Sequence, residues 1–231
     1  MVIQVVWATT GQARPEHREW FSPAERERWA AYKAPNAQAQ FAVGCAITRA
    51  VLAELTGAGP AELEIDRECS RCAGPHGKPR VPGSAWKFSV SHSGDRIGVA
   101  FAEGTELGLD IEQVTGAARD GVAGMMLAPA ELAAWQAMPE PERTSVFYTY
   151  WARKESVLKA TGDGLTASLP EVRVTPPGEP PRLLGYPGGA IVEASMADLD
   201  GGPGYAAALT VLGPGPMAPV EYRDAARIPG F

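Results

Sequence analysis

Residues 88 to 101 read FSVSHSGDRIGVAF, and their strict alternation leaves the backbone few options. Phe88, Val90 and His92 fall on one side, and Ser89, Ser91 and Ser93 fall on the other. After a Ser-Gly-Asp turn, Ile97, Val99 and Phe101 alternate again. A period of two around a central turn predicts a β-hairpin, and a hairpin with one apolar face is not stable until other elements cover it. A third strand is predicted at LGLDIE (107–112), where Leu107, Leu109 and Ile111 share one face. Asp110 and Glu112 share the other, about 7 Å apart by strand rise.

The covering elements are legible as helices. Ser22 caps one, with Pro23 at its first position and Glu25 three residues on; it carries Arg26, Arg28 and Trp29. From Ala37 to Leu55, Phe41, Cys45, Thr48, Leu52 and Leu55 recur at steps of three and four before Gly57. A short helix from Pro129 bears Glu131 and Trp135, and a longer one runs from Pro141 to its stop at Gly162. An opening strand is predicted at Val2–Trp7, and later strands at 172–174 (VRV), 190–194 (AIVEA) and 205–212 (YAAALTVL). Residues 69–81 form an ordered loop that displays Lys78, residues 113 onward a Gly/Ala loop, and the last fifteen residues a loosely held tail.

With 231 residues, 45% of them hydrophobic, the chain can bury a substantial core as one large domain or two small ones. A formal charge of −6 argues against a general nucleic-acid binder, so any phosphate site must be local. No apolar run is long enough to span a bilayer, and the opening MVIQVVWATT lacks a basic n-region; a cytoplasmic, membrane-free protein is expected. Cys45, Cys69 and Cys72 are an odd number and fit reduced thiols. Cys69 and Cys72 with His76 form a partial zinc knuckle, but a closed site needs four ligands and no second pair follows, so unliganded thiols are expected.

Within the long helix, Tyr148, Trp151, Glu155 and Lys159 stack along one side. Taken alone, Glu155 and Lys159 read as a weak intrahelical pair on a solvated face. Asp110, Glu112 and Glu155 equally read as three unrelated surface acids or as ligands for one hard cation; magnesium on such a set would complete its octahedron with water and substrate phosphate oxygens.

The order of the parts is more specific than any one of them. GKP (77–79), FSVSHSG (88–94), GLDIE (108–112), WARKESVLK (151–159) and GDGL (162–165) closely resemble the signature segments of the Sfp-type 4′-phosphopantetheinyl transferases. The resemblance implies an α+β fold of two similar halves about a pseudo-twofold axis, here 1–106 for coenzyme A and 107–231 for magnesium and carrier docking. It implies Mg2+ on Asp110, Glu112 and Glu155, with Lys159 on the phosphates. It implies transfer of 4′-phosphopantetheine from coenzyme A to a serine of an apo acyl or peptidyl carrier protein, with release of 3′,5′-ADP, by a monomer. Glu155 or Glu131 would accept the serine proton. Ser91 and His92 would hold the 3′-phosphate of coenzyme A, with Lys78 and Arg28 as further cations. Lys154 is read as a structural salt bridge.

The chain departs from the family pattern at AQAQF (37–41), where Gln38 and Gln40 stand in place of arginines, one of which usually contacts coenzyme A. Restoring arginine is expected to matter more at 38 than at 40. The carrier is expected to dock near 113–135, on an apolar patch of Met125, Met126 and Leu127. A coenzyme A or carrier-binding module without turnover, and a magnesium-dependent pyrophosphate hydrolase, are the competing readings.

Overall fold

The computed structural model describes residues 2–69, 71–116 and 120–231. Residues 117–119 of the Gly/Ala loop and Ser70 of the cysteine loop lie outside them. The chain divides into two compact units, Met1–Gly104 with Ala218–Phe231, and Thr105–Met217. Both are α+β.

In the first unit β1 (Ile3–Thr9) leads to α1 (Pro23–Ala31), where Ser22 Oγ accepts from Glu25 N at 3.3 Å and Glu25 Oε2 accepts from Ser22 N at 2.8 Å. α2 (Pro35–Thr56) starts on proline and ends on Gly57 in the left-handed region, φ 75°. The predicted hairpin is β2 (Trp86–Ser93) and β3 (Arg96–Glu103), turned at Gly94, φ 58°. α2 buries Val43, Ala46, Ile47, Ala50 and Val51 in one core with Val6, Phe88, Ile97, Val99 and Phe101. Each buried Val, Ile or Phe among them contributes roughly 1.5–3 kcal/mol. The helix covers the face that the alternation left apolar.

In the second unit β4 (Leu107–Gln113) precedes α3 (Asp120–Met126), α4 (Pro129–Gln136) and α5 (Glu140–Thr161). β5 (Arg173–Val174) pairs with β6 (Leu183–Gly185), and β7 (Ala194–Leu199) with β8 (Tyr205–Leu212), giving a sheet of order β4-β8-β7. α5 lies on that sheet, with Ser156 Oγ 2.7 Å from Thr210 Oγ1 and the buried Arg153 holding Asp198 at 2.6 Å. No helix of the described residues is long and apolar enough to cross a membrane.

Two expectations are corrected. Residues 190–193 are not strand: Ile191 is 95% exposed, and β-branched composition forms no ladder without an edge to pair with. The closing residues are not a loose tail. β9 (Val220–Asp224) pairs in parallel with β1, completing the order β2-β3-β1-β9, and Ala225, Ile228 and Phe231 are buried in the first unit's core.

Candidate active site

Gly108 sets the geometry of the second unit. A Cβ there would lie 2.0 Å from Ser156 O and 2.3 Å from Ala160 N, so β4 and α5 meet backbone to backbone. Asp110 and Glu112 share Gly108's side of the strand and are carried toward the α5 turn that bears Glu155 and Lys159. Asp110 is buried, and its Oδ1 accepts from Lys159 Nζ at 2.7 Å. Glu112 is half-buried one step along the same face. Glu155 Oε1 is buried with no hydrogen-bond partner among the described residues. Burial, and then the charge of Asp110, push the Glu155 carboxyl above the usual carboxylate range, while Lys159 pulls it down. A buried, unsatisfied carboxylate oxygen beside a second carboxylate is costly unless a cation is drawn in. The donor set is all oxygen, which fits a hard dication such as Mg2+.

The first unit holds a cavity lined by Arg28, Arg67, His92, Gln40, Thr48 and Tyr32, among others. At about 180 Å³ it is smaller than a whole-ligand pocket and suits one end of a ligand. Burial, and then the charge of Arg28, lower the proton affinity of Arg67, so two guanidinium groups repel each other where an anion would reconcile them.

Residues 106–210 match the family model described as the 4′-phosphopantetheinyl transferase superfamily. The matched segment is similar to that superfamily and carries Asp110, Glu112, Glu155 and Lys159. The chain's similarity to proteins named as transferases supports a transferase enzyme. It is 29% identical over 165 residues to the 4′-phosphopantetheinyl transferase HetI of a Nostoc species, covering 69% of this chain and 67% of that one. It is 26% identical over 152 residues to the 4′-phosphopantetheinyl transferase Sfp of Bacillus subtilis, covering 65% and 64%. The alignments thus span about two thirds of these relatives' own length. Among solved structures it is similar to the holo-[acyl-carrier-protein] synthase of Thermotoga maritima, with a TM-score of 0.37, 22% identity and coverage of 46% and 62%. It is also similar to the holo-ACP-synthase of Plasmodium yoelii, with a TM-score of 0.36, 19% identity and coverage of 46% and 92%.

Of the residues that the superfamily pattern nominates, Asp110, Glu155 and Lys159 come together, with Glu112 on the same strand face. Glu131 does not join them. Its Oε2 accepts from Ala128 N at 2.8 Å and meets Lys154 Nζ at 2.6 Å, and its Oε1 accepts from Val174 N at 3.0 Å. Both oxygens are committed to tying α4, α5 and β5 together, which corrects its reading as a proton acceptor and makes Lys154 the structural ion pair expected of it. Met126 and Leu127 are core beside Trp135 and Phe147, and Met125 alone of the three is exposed, so the expected docking patch is not formed.

In the first unit Arg28 and His92 line one cavity. Ser91 is buried on the opposite face of β2 from His92, and Lys78 sits half-buried in its loop; neither lines the cavity. Gln38 donates to Tyr32 O at 2.9 Å and lines a separate hollow with Arg14, Arg18 and Trp29. Gln40 instead lines the Arg28 cavity, its Nε2 donating to Gly94 O at 2.8 Å. Gln40, not Gln38, is thus the glutamine on the Arg28 cavity. Helical spacing puts them on different sides, but only the packing of α2 on β2, where Gly44 meets Val90, decides which side faces the cavity. Arg67 went unnoticed in the sequence, where it is one basic residue in an irregular segment, IDREC (65–69).

Proposed function

We propose that the chain transfers the 4′-phosphopantetheine group of coenzyme A to a serine of an apo acyl or peptidyl carrier protein, in a Mg2+-dependent reaction that releases 3′,5′-ADP. The observation that carries this reading is Glu155, half-buried beside Asp110 with one buried carboxylate oxygen unsatisfied and Lys159 one turn on.

In this reading Asp110, Glu112 and Glu155 hold the ion. When bound, Mg2+ withdraws charge from the pyrophosphate oxygens of coenzyme A. Lys159 carries the positive charge that stabilises what develops on those oxygens as the serine O–P bond forms and the P–O bond to 3′,5′-ADP breaks. With both oxygens of Glu131 committed, Glu155 is the acid suited to take the serine proton, directly or through water. Arg28, Arg67 and His92 supply cations for the remaining phosphate of the coenzyme, with Gln40 as a neutral donor beside them. The resemblance extends this reading to a cytoplasmic monomer.

Intact-mass analysis of an apo carrier protein incubated with the enzyme, coenzyme A and Mg2+ tests this. The expected result is a gain of one phosphopantetheine on the carrier serine. 3′,5′-ADP without carrier modification would replace transfer by hydrolysis, and neither product would leave a binding module.

A further inference from the structure

The loop that bears Cys69, Cys72 and His76 takes no part in the proposed chemistry, yet it is built with unusual closure. At its foot Asp66 and Arg80 exchange both backbone hydrogen bonds at 2.9 Å, and their side chains pair at 2.8 Å. Above them Gly77 N donates to Arg67 O at 2.7 Å, Cys69 N to Gly74 O at 2.9 Å, and Ala73 N to Cys69 O at 2.8 Å. Ala73 holds φ at 57°, a left-handed conformation uncommon for a residue with a Cβ. Gly74 lies against the cluster: a Cβ there would be 3.1 Å from His76 Cδ2 and 3.3 Å from Cys72 Sγ. The result is that Cys69 Sγ, Cys72 Sγ and one His76 ring nitrogen all lie within 4.8 Å of one another, with Cys72 Sγ 2.9 Å from His76 Nε2. The backbone N–H groups of Arg71 and Cys72 both donate to Cys69 Sγ.

We infer that Cys69, Cys72 and His76 form a Cys2His site for Zn2+, with a fourth position open to solvent. Two sulfurs and an imidazole within that span match a tetrahedral ion, whose bonds to sulfur are about 2.3 Å and to nitrogen about 2.0–2.1 Å. Amide donors aimed at Cys69 Sγ stabilise a thiolate, the form that ligates. Soft sulfur ligands select zinc over magnesium, so the site is chemically separate from the carboxylates of Asp110, Glu112 and Glu155. Binding releases the thiol protons to solvent and replaces the contact between Cys72 and His76 with bonds to the ion. The missing fourth protein ligand, which argued against a closed site in the sequence, leaves a three-ligand site on an exposed loop. Its consequence is mechanical: the ion clamps the loop between its hydrogen-bonded foot, beside Arg67, and Lys78.

The test is an anaerobic titration of the reduced, metal-stripped full chain with Co2+, followed by Zn2+. The expected result is a thiolate-to-cobalt charge-transfer band with tetrahedral visible bands, saturating at one equivalent and erased by Zn2+. Cys72→Ser and His76→Ala should each weaken Zn2+ binding by roughly 100-fold or more, since even outer partners of a ligand are worth 10–100-fold, with an unchanged far-ultraviolet spectrum. A cobalt spectrum without thiolate bands at saturation would overturn the inference. So would oxidation of Cys69 and Cys72 to a disulfide at the same rate with and without Zn2+. Neither outcome touches the transfer reaction, which is read separately on the carrier.

Discussion

Replacing Gly108 with alanine probes the contact that brings strand and helix acids together. The added methyl would start 2.0 Å from Ser156 O, and ordinary contact begins at 3.4 Å, so α5 must retreat from β4 by about 1.4 Å. The bond between Lys159 Nζ and Asp110 Oδ1, now 2.7 Å, would then exceed hydrogen-bonding distance. Overpacking of this kind costs about 1–3 kcal/mol, and here backbone atoms rather than a flexible side chain stand in the way, so about 3 kcal/mol is expected. A misplacement of about 1 Å among reacting groups is itself worth ~100-fold in rate. Urea unfolding and magnesium titration in the presence of coenzyme A measure the two effects. Gly124→Ala is the control: nothing lies within 4 Å of its Cβ position in α3, and it should stabilise by about 0.5–1 kcal/mol. If Gly108→Ala unfolds within ~0.5 kcal/mol of the parent and keeps its magnesium affinity, the close approach of α5 does not organise this site.

Gln40→Arg should tighten coenzyme A binding by up to roughly ten-fold, most at low salt, whereas Gln38→Arg should leave it unchanged; calorimetry of the two variants decides, and equal effects would refute the cavity assignment. Lys154→Met strands Glu131 in the core and should lower stability by about 3–5 kcal/mol in urea unfolding, with much of the loss recovered by adding Glu131→Gln. His17 is buried and stacked on Phe231 with ring centroids 4.7 Å apart; burial, and then Arg14, hold its pKa below the ordinary 6.5. Its contribution is therefore present above pH 6.5 and lost as pH falls through the lowered value, and His17→Leu should flatten that part of the melting-temperature profile.

Much of this fold is local enough to read from the chain. The hairpin of 88–101, the Ser22 cap, the Gly162 stop and the strand YAAALTVL each depend on a period or a turn within a few residues, and each is found where it was expected. The acids of the site were legible as candidates because strand and helix periods predict a shared face. What escaped depends on contacts distant in sequence. Glu131 is a structural acid only because Lys154 and Val174 N reach it. Met126 differs from Met125 only in which side of α3 packs on Trp135 and Phe147. The closing strand carries a weak local signal, and its partner is β1, at the other end of the numbering. Arg67 becomes interesting only when Arg28 is set beside it.

The central claim is that Glu155 is a working carboxylate of the transferase and not half of a surface ion pair. The rate of carrier modification by Glu155→Gln at saturating Mg2+ tests it most directly. Gln keeps the shape of the side chain and relieves the charge buried beside Asp110, so the variant should fold at least as stably as the parent. It should nevertheless transfer phosphopantetheine at least ~100-fold more slowly, having lost both a ligand charge and a proton acceptor. A folded Glu155→Gln protein that modifies the carrier within a few-fold of the parent rate would contradict the account.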